Sequence, residues 1–281
     1  MIIILLDFHG TMISSIMKYL FLNETDIIDE SLCRHMILNS VRAVKVTYGT
    51  EYGRMVISCD GKDYWRKELF PYYKIKRKKA MGESLIDWGQ LHSYMDKIKK
   101  EIEENFRYAV IQVDRAESDD IIGVLARTFH ESENILIASR DHDFEQLQNL
   151  SNVKQYNPID KKMVVVADPV KTLFEHIVKG DTGDSIPNIF SDKNSFAINT
   201  RQKPAFQKKI DLWYEAGEVP EEHKERFEFN KQLIDLSFTP KDLQKEILEK
   251  YNSQLTKPNK NLTNYFMKYG LREMLTNIQD F

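Results

Sequence analysis

The sequence predicts an α/β fold, a central and mostly parallel sheet flanked by helices, followed by a helical C-terminal region. Three observations predict it. Four apolar runs stop at an acid or just before one: MIIILLD at Asp7, RMVISCD at Asp60, YAVIQVD at Asp114 and NILIASRD at Asp141. Helix-period apolar stretches separate them, 31–47 with Leu32, Met36, Ile37, Val41 and Val44, and 117–129 with Ile121, Ile122, Val124, Leu125 and Phe129. Beyond about residue 168 the strands give way to helices alone.

The first run is too short to cross a membrane and carries no basic flank or cleavage site, so neither an anchor nor a signal peptide is expected. It reads as a central parallel strand. Asp7 then lies at the carboxyl end, where open α/β sheets place ligands. Met1 stands directly on this strand, so no N-terminal tail for a sliding clamp is expected. Strands alternating with helices imply right-handed crossovers, which bring the acidic strand ends to one edge.

The connection from Cys59 to Arg107 is far longer than a common loop. It reads as a functional excursion, basic at first and helical around 85–104. From Lys62 to Lys79 it carries eight cations (Lys62, Arg66, Lys67, Lys74, Lys76, Arg77, Lys78, Lys79) against Asp63 and Glu68. The helical texture after 168 comprises PVKTLFEHIVKG, KPAFQKKIDLWYEAGE, EEHKERFEFNKQLIDL, TPKDLQKEILEKYNS and NLTNYFMKYGLREML. Pro187, Pro204, Pro220, Pro240 and Pro258 mark the breaks. The expected division is an α/β domain over 1–167 and a helical region over 168–281.

Composition describes an ordinary soluble protein, 42% apolar and 30% charged, with a net charge of only −3 that hides the local basic patch. Cys33 and Cys59 are isolated, which excludes a zinc knuckle and suggests a reducing compartment, hence a cytoplasmic protein.

Nine acids fall in five places: Asp7, Asp60, the group Glu117, Asp119 and Asp120 in ESDD, the pair Asp141 and Asp143, and the pair Asp181 and Asp184 in KGDTGDS. Any one of them reads most simply as a turn former or helix cap. The coincidence of four of these groups on one predicted edge changes that reading, because so many carboxylates gathered together repel one another unless divalent cations neutralise them. Oxygen-only donors suit Mg²⁺ or Mn²⁺, and two such ions about 4 Å apart serve phosphodiester cleavage. The basic excursion interleaves its cations with Tyr64, Trp65, Phe70, Tyr72 and Tyr73, the composition of a surface that stacks bases and tracks phosphates.

Asp7 and Asp60 after their strands, E-x-D-D at 117–120, D-x-D-F at 141–144 and G-D-x-x-D-x-I-P at 180–187 resemble, in order and spacing, the 5′ nuclease (flap endonuclease-like) superfamily. Y-K-x-x-R at Tyr73, Lys74 and Arg77 falls where that superfamily has its arch. RHMILNS (34–40), YWR (64–66), NVKQYNP (152–158) and the final NIQDF extend the resemblance, toward its T-even phage branch, over nearly the whole chain.

The resemblance implies a PIN-like nuclease fold with an arch at about 62–104 and two Mg²⁺ ions, replaceable by Mn²⁺. Asp7, Asp60, Glu117, Asp119 and Asp120 would surround the first ion, and Asp141, Asp143, Asp181 and Asp184 would build toward the second. Lys74 and Arg77 become candidate catalytic cations. Arg66, Tyr73, Lys76, Lys78, Lys79, Lys193, Arg201 and Lys203 become candidate nucleic-acid contacts. The implied function is a 5′ to 3′ exonuclease and flap endonuclease that removes RNA primers and adjacent DNA from lagging-strand fragments in phage replication. Its substrates would be DNA with 5′ flaps or nicks and RNA–DNA hybrids. A monomer is expected, with a single-strand-binding protein or sliding clamp as candidate partners.

The likeness weakens after Pro187, where the usual glycine-rich helix-hairpin-helix loop is replaced by NIFSDKNSFAINTRQKPAF, so only a degenerate form is expected. Asp114 lies outside the pattern, and His9 invites comparison with a general base. Two rivals differ in chemistry. A haloacid-dehalogenase-type phosphatase would use Asp7 as nucleophile but wants an aspartate where His9 stands, and it leaves Asp60, ESDD and the basic run unexplained. A non-catalytic branched-DNA-binding module would be expected to have lost its acids.

Overall fold

The computed structural model describes residues 2–255 and 262–281, and the helix break expected at Pro258 lies outside them. Six strands form one sheet in the order β3-β2-β1-β4-β5-β6. They are β1 (Ile2–Asp7), β2 (Arg54–Cys59), β3 (Ala109–Gln112), β4 (Asn134–Ala138), β5 (Val153–Asn157) and β6 (Lys162–Val164). The first five run parallel, and β6 closes the edge antiparallel to β5. β1 lies at the centre between β2 and β4.

Twelve α-helices are described: α1 (Phe8–Leu22), α2 (Glu30–Tyr52), α3 (Trp65–Leu69), α4 (Ile75–Glu83), α5 (Trp88–Asn105), α6 (Ser118–Phe129), α7 (Pro169–Lys179), α8 (Gln207–Ala216), α9 (Glu221–Ile234), α10 (Lys241–Ser253), α11 (Leu262–Lys268) and α12 (Arg272–Thr276).

The alternation of side chains along β1 explains its unbroken apolar run, because both faces of the strand are covered. Ile4 and Leu6 point into a core built from α1, α2, α5 and α11–α12. Ile3 and Leu5 point into a second core built from α6 and α10. α1, which the sequence reading passes over, buries Phe8, Met12, Ile16 and Leu20 at intervals of one helical turn.

The long excursion divides in two. α5 places Leu91, Met95, Ile98 and Ile102 in the main core, whereas α4 buries no residue at all. The projecting element is therefore shorter than the arch expected over 62–104. The C-terminal half likewise does not pack by itself. α7 and α8 share a small core with Ile189 and Val219, but Tyr265, Phe266 and Met274 join the sheet's main core and Leu243, Ile247 and Tyr251 join its opposite face. Glu101 locks this return, accepting from Arg34 Nε at 2.7 Å and from the Tyr265 hydroxyl at 2.8 Å. Between α7 and α8, residues 181–206 contain turns and irregular chain.

Candidate metal centre and arch

The parallel strands deliver their acids to one edge, and a set of local hydrogen bonds aims them. Asp7 ends β1 and caps α1, accepting from the Gly10 amide at 3.2 Å. A Cβ at Gly10 would lie 2.1 Å from Asp7 Oδ2, so glycine alone permits this approach. The Ser139 hydroxyl donates to Asp7 Oδ2 at 2.9 Å and accepts from the Asp141 amide at 3.1 Å, joining the ends of β1 and β4. Asp60 accepts from the Ser118 amide at 2.8 Å, which ties the end of β2 to the start of α6. Asp119 follows in the first turn of α6, where the helix dipole favours a carboxylate.

The remaining acids sit on two tight turns. Asp141 caps a 3₁₀ turn over 142–149 and accepts from the Asp143 amide at 3.0 Å. Asp181 accepts from the Asp184 amide at 2.8 Å, and paired backbone hydrogen bonds with Ile186 close the loop. Gly180, at φ +68°, turns α7 into this loop, where an added Cβ would lie 2.3 Å from the Ile186 carbonyl oxygen and 2.7 Å from that of Pro187.

Electrostatics shows that these groups face one another. Burial pushes the Asp7 carboxyl up to about 7, with the charges of Asp60 and Asp141 pushing the same way. Burial also lifts Asp119 well above the carboxylate range, helped by Asp141, Asp143 and Asp7. Asp143 rises for the same reasons, from burial and from Asp141, and further from Asp181 and Asp184. Such mutual repulsion requires proximity. Asp143 Oδ1 is in addition buried without accepting a hydrogen bond. A crowded set of hard oxygen donors, with negative charge left unrelieved and a buried oxygen left without a donor, fits divalent cations of the Mg²⁺ and Mn²⁺ type.

Two of the expected ligands are buried and hydrogen-bonded to protein groups. Asp120 is fully buried and accepts from Arg66 Nη1 (2.9 Å), Trp65 Nε1 (3.1 Å), the Glu117 amide (2.9 Å) and the Thr239 hydroxyl (2.9 Å). Glu117, 1% exposed, pairs with Lys74 and with Arg66 at 3.0 Å, and receives the Tyr73 hydroxyl at 2.8 Å. Asp120 faces the buried cation at the arch base, whereas Glu117 shares Lys74 and the Tyr73 hydroxyl with Asp184 of the acid cluster.

Two of the expected nucleic-acid contacts are buried. Arg66 is buried, its guanidinium spent on Glu117, Asp120 and the Leu233 carbonyl at 2.8 Å. Tyr73 is buried, its hydroxyl lying 2.6 Å from Asp184 Oδ2 and shared with Glu117. Both are internal supports. Trp65 and Phe70 are core residues as well, while Tyr72 stays exposed.

Lys74 and Arg77 do stand beside the acids. Lys74 adopts a left-handed backbone (φ +58°) at the start of α4 and pairs with Glu117 and, at 3.8 Å, with Asp184. Burial works against its charge, but Asp184 and Glu117 outweigh it and raise the ammonium well above its usual range. Arg77 binds Asp184 at 2.7 Å with its side chain still 54% exposed. Lys76, Lys78 and Lys79 lie exposed along α4, with Lys76 Nζ 4.8 Å from the Phe196 ring centroid. Arg201 and Lys203 are exposed, and Lys193 stacks 4.1 Å over Phe229 and lies 3.7 Å from Glu225.

His9 accepts from the Asp60 amide through Nδ1 at 3.2 Å, and burial lowers its pKa. It steadies Asp60 as a neutral ring. Asp114 is exposed and outside the cluster. The sequence reading missed His176 on α7, whose Nδ1 is 3.4 Å from Asp143 and whose Nε2 is 3.1 Å from Asp181. Burial opposes its charge, but Asp181 and Asp143 hold its pKa up at about 9, while the His176 hydrogen bond and the Asp184 amide hold Asp181 at about 2 against burial. No helix among the described residues is long and apolar enough to cross a membrane.

Comparison with known proteins shows the family and the fold. Residues 29–175 match the family model of the 5′-3′ exonuclease N-terminal resolvase-like domain, and residues 168–281 match that of the T4 RNase H C-terminal region. Ribonuclease H of Enterobacteria phage T4 is 32% identical over 268 residues, 90% of this chain and 88% of the relative. A 5′-3′ exonuclease of Buchnera aphidicola is 27% identical over 54% of this chain and 50% of its own. The fold is shared with the bacteriophage T5 flap endonuclease in a pseudo-enzyme–product complex with DNA and metal ions (TM-score 0.65, 14% identity, 92% of this chain and 100% of that one). It is also shared with the T5 5′-exonuclease carrying zinc ions (TM-score 0.60, 17% identity, 88% and 98%). The phosphatase reading falls with these matches, and the chain belongs to the 5′-3′ exonuclease family of nucleases, in the group that includes phage T4 ribonuclease H.

Proposed function

We propose that this chain is a Mg²⁺-dependent phosphodiesterase acting from the 5′ end of nucleic acid. Its work would be the removal of RNA primers and adjacent DNA from lagging-strand fragments, by 5′ to 3′ exonuclease and flap endonuclease cleavage. The observation that carries this reading is the juxtaposition of seven carboxylates, Asp7, Asp60, Asp119, Asp141, Asp143, Asp181 and Asp184, with the cations Lys74 and Arg77. Asp7, Asp60, Asp119 and Asp141 would hold one ion, and Asp143, Asp181 and Asp184 the other. Two bound divalent cations would supply a water nucleophile at neutral pH and Lewis-acid stabilisation of the phosphoryl oxygens.

The chain's own residues do the rest. Lys74 and Arg77 present positive charge where a scissile phosphate would approach the acids, and both are held in place before substrate arrives. Glu117, Arg66, Asp120 and Tyr73 form the buried frame beneath them. Lys76, Lys78 and Lys79 line the projecting α4 and would guide a strand, with Lys193, Arg201 and Lys203 meeting duplex phosphates. The barrier to phosphodiester hydrolysis demands well over ~15 kcal/mol of transition-state stabilisation, so cations and ions must act together.

The test is digestion of 5′-labelled flap, nicked and RNA-primed duplexes with and without Mg²⁺, reading product lengths. Mg²⁺-dependent products carrying 5′-phosphate and 3′-hydroxyl ends are expected. Metal-independent cleavage, or an intact substrate, would refute the reading.

A further inference from the structure

His176 lies outside the acid set of the sequence motifs, yet it faces two members of that set. One donor atom each from Asp143, His176 and Asp181 lies within 4.8 Å of the other two, a grouping that suits a single ion. The imidazole is not there by accident of a mobile surface chain. Ile177 and Val178, the next residues of α7, are buried, which fixes the rotation of the helix and turns position 176 toward the cluster. Asp143 Oδ1 is buried without a hydrogen-bond donor, so the ring beside it does not satisfy it as an ordinary hydrogen-bonded pair would.

An all-carboxylate position suits Mg²⁺, which dehydrates reluctantly and prefers oxygen. An imidazole nitrogen adds a softer donor that first-row transition ions bind more readily, the entering ion displacing to solvent the ring proton that Asp143 and Asp181 otherwise hold. We propose that His176 gives a nitrogen ligand to the second metal position, with Asp143 and Asp181, and makes that position favour Mn²⁺ over Mg²⁺. The inference rests on the metal-dependent reading above and specifies which ion that reading involves at one of its two positions.

The experiment is pulsed electron paramagnetic resonance of Mn²⁺ bound to the full chain, with histidine at natural abundance and labelled with ¹⁵N. The wild type should show a histidine nitrogen coupling that changes with the label, and this result needs no variant to fold. His176→Gln should lose the coupling, and His9→Gln, altered at a ring facing Asp60 instead, should retain it. By titration, Mn²⁺ affinity at the second position should fall about ten-fold or more in His176→Gln, the scale at which metal-site partners act. Mg²⁺ affinity should change by less than about three-fold, since oxygen donors dominate its binding. Mn²⁺ bound without a histidine coupling, or a coupling that survives in folded His176→Gln, would overturn the proposal and leave the metal-dependent reading standing. A wild type that binds no Mn²⁺ would overturn both.

Discussion

The Lys74 amide donates to the Asp184 carbonyl at 2.8 Å, so the first turn of the projecting helix is hydrogen-bonded to the loop bearing the last acid of the cluster. The next contacts reinforce it: the Lys76 amide donates to the Ser185 hydroxyl at 3.1 Å and Arg77 Nε to the Gly183 carbonyl at 3.2 Å. Arch base and acidic loop are one unit, which places the Lys74 ammonium by backbone geometry rather than by chance of rotamer. Lys74→Ala should therefore lower the single-turnover cleavage rate about a hundred-fold or more, the scale for loss of one preorganised electrostatic group. Affinity for a flap substrate should change far less. An unchanged single-turnover rate would remove Lys74 from the chemistry.

Asp119 is raised by burial and by the charges of Asp141, Asp143 and Asp7, which places it among them. Asp119→Asn or Asp141→Asn should reduce Mg²⁺-dependent cleavage by at least about a hundred-fold, since even outer-shell partners of a metal reach that magnitude. Binding of a flap substrate, measured by anisotropy, should persist because the exposed cations are untouched. Near-normal turnover in either variant would show that the acid is not a ligand.

Arg66 separates support from recognition. Its removal leaves Asp120 and Glu117 buried without their cation, so Arg66→Ala should cost about 3–5 kcal/mol of folding stability in urea denaturation. A residue that merely touched phosphate would instead leave stability unchanged and weaken the salt dependence of DNA binding.

The raised carboxyl of Asp7 makes metal-free stability depend on pH. Its folded pKa of about 7 lies above the ordinary 3.8, so the stability tied to its neutral form is complete below pH ~4 and lost as pH rises through about 7. This loss can reach ~4 kcal/mol, because each tenfold change in a protonation equilibrium is worth ~1.4 kcal/mol. His176 loses its own contribution only as pH approaches about 9, and Asp181 only as pH falls toward about 2, so neither masks the window. Thermal melting of metal-free protein should decline from pH ~5 to pH ~7.5, and saturating Mg²⁺ should abolish the decline. A flat metal-free profile would contradict the electrostatic picture.

Much of this site was readable from sequence because strand ends advertise themselves. A parallel strand buried on both faces must be apolar throughout, so an acid such as Asp7 or Asp141 marks where the strand leaves the core. What the sequence could not separate was one carboxylate or guanidinium from another. Arg66 and Lys74 stand eight residues apart in the same basic run and both meet Glu117, yet Arg66 turns on to buried Asp120 while Lys74 reaches Asp184 of the cluster. Asp119 and Asp120 are adjacent, but successive residues of a helix point about 100° apart, and only Asp120 turns inward to Arg66. α1 was legible in Phe8, Met12, Ile16 and Leu20, a signal obscured by Gly10 and the serines between them. His176 had no local signal, because its partners Asp143 and Asp181 meet it only once α7 folds against the 3₁₀ turn.

The central claim is that these carboxylates together hold two divalent ions beside the arch. Anomalous diffraction from a crystal soaked in Mn²⁺ tests it most directly. Two manganese peaks are predicted, one among Asp7, Asp60, Asp119 and Asp141 and one among Asp143, Asp181 and Asp184. A map with no manganese bound by these oxygens would contradict the account.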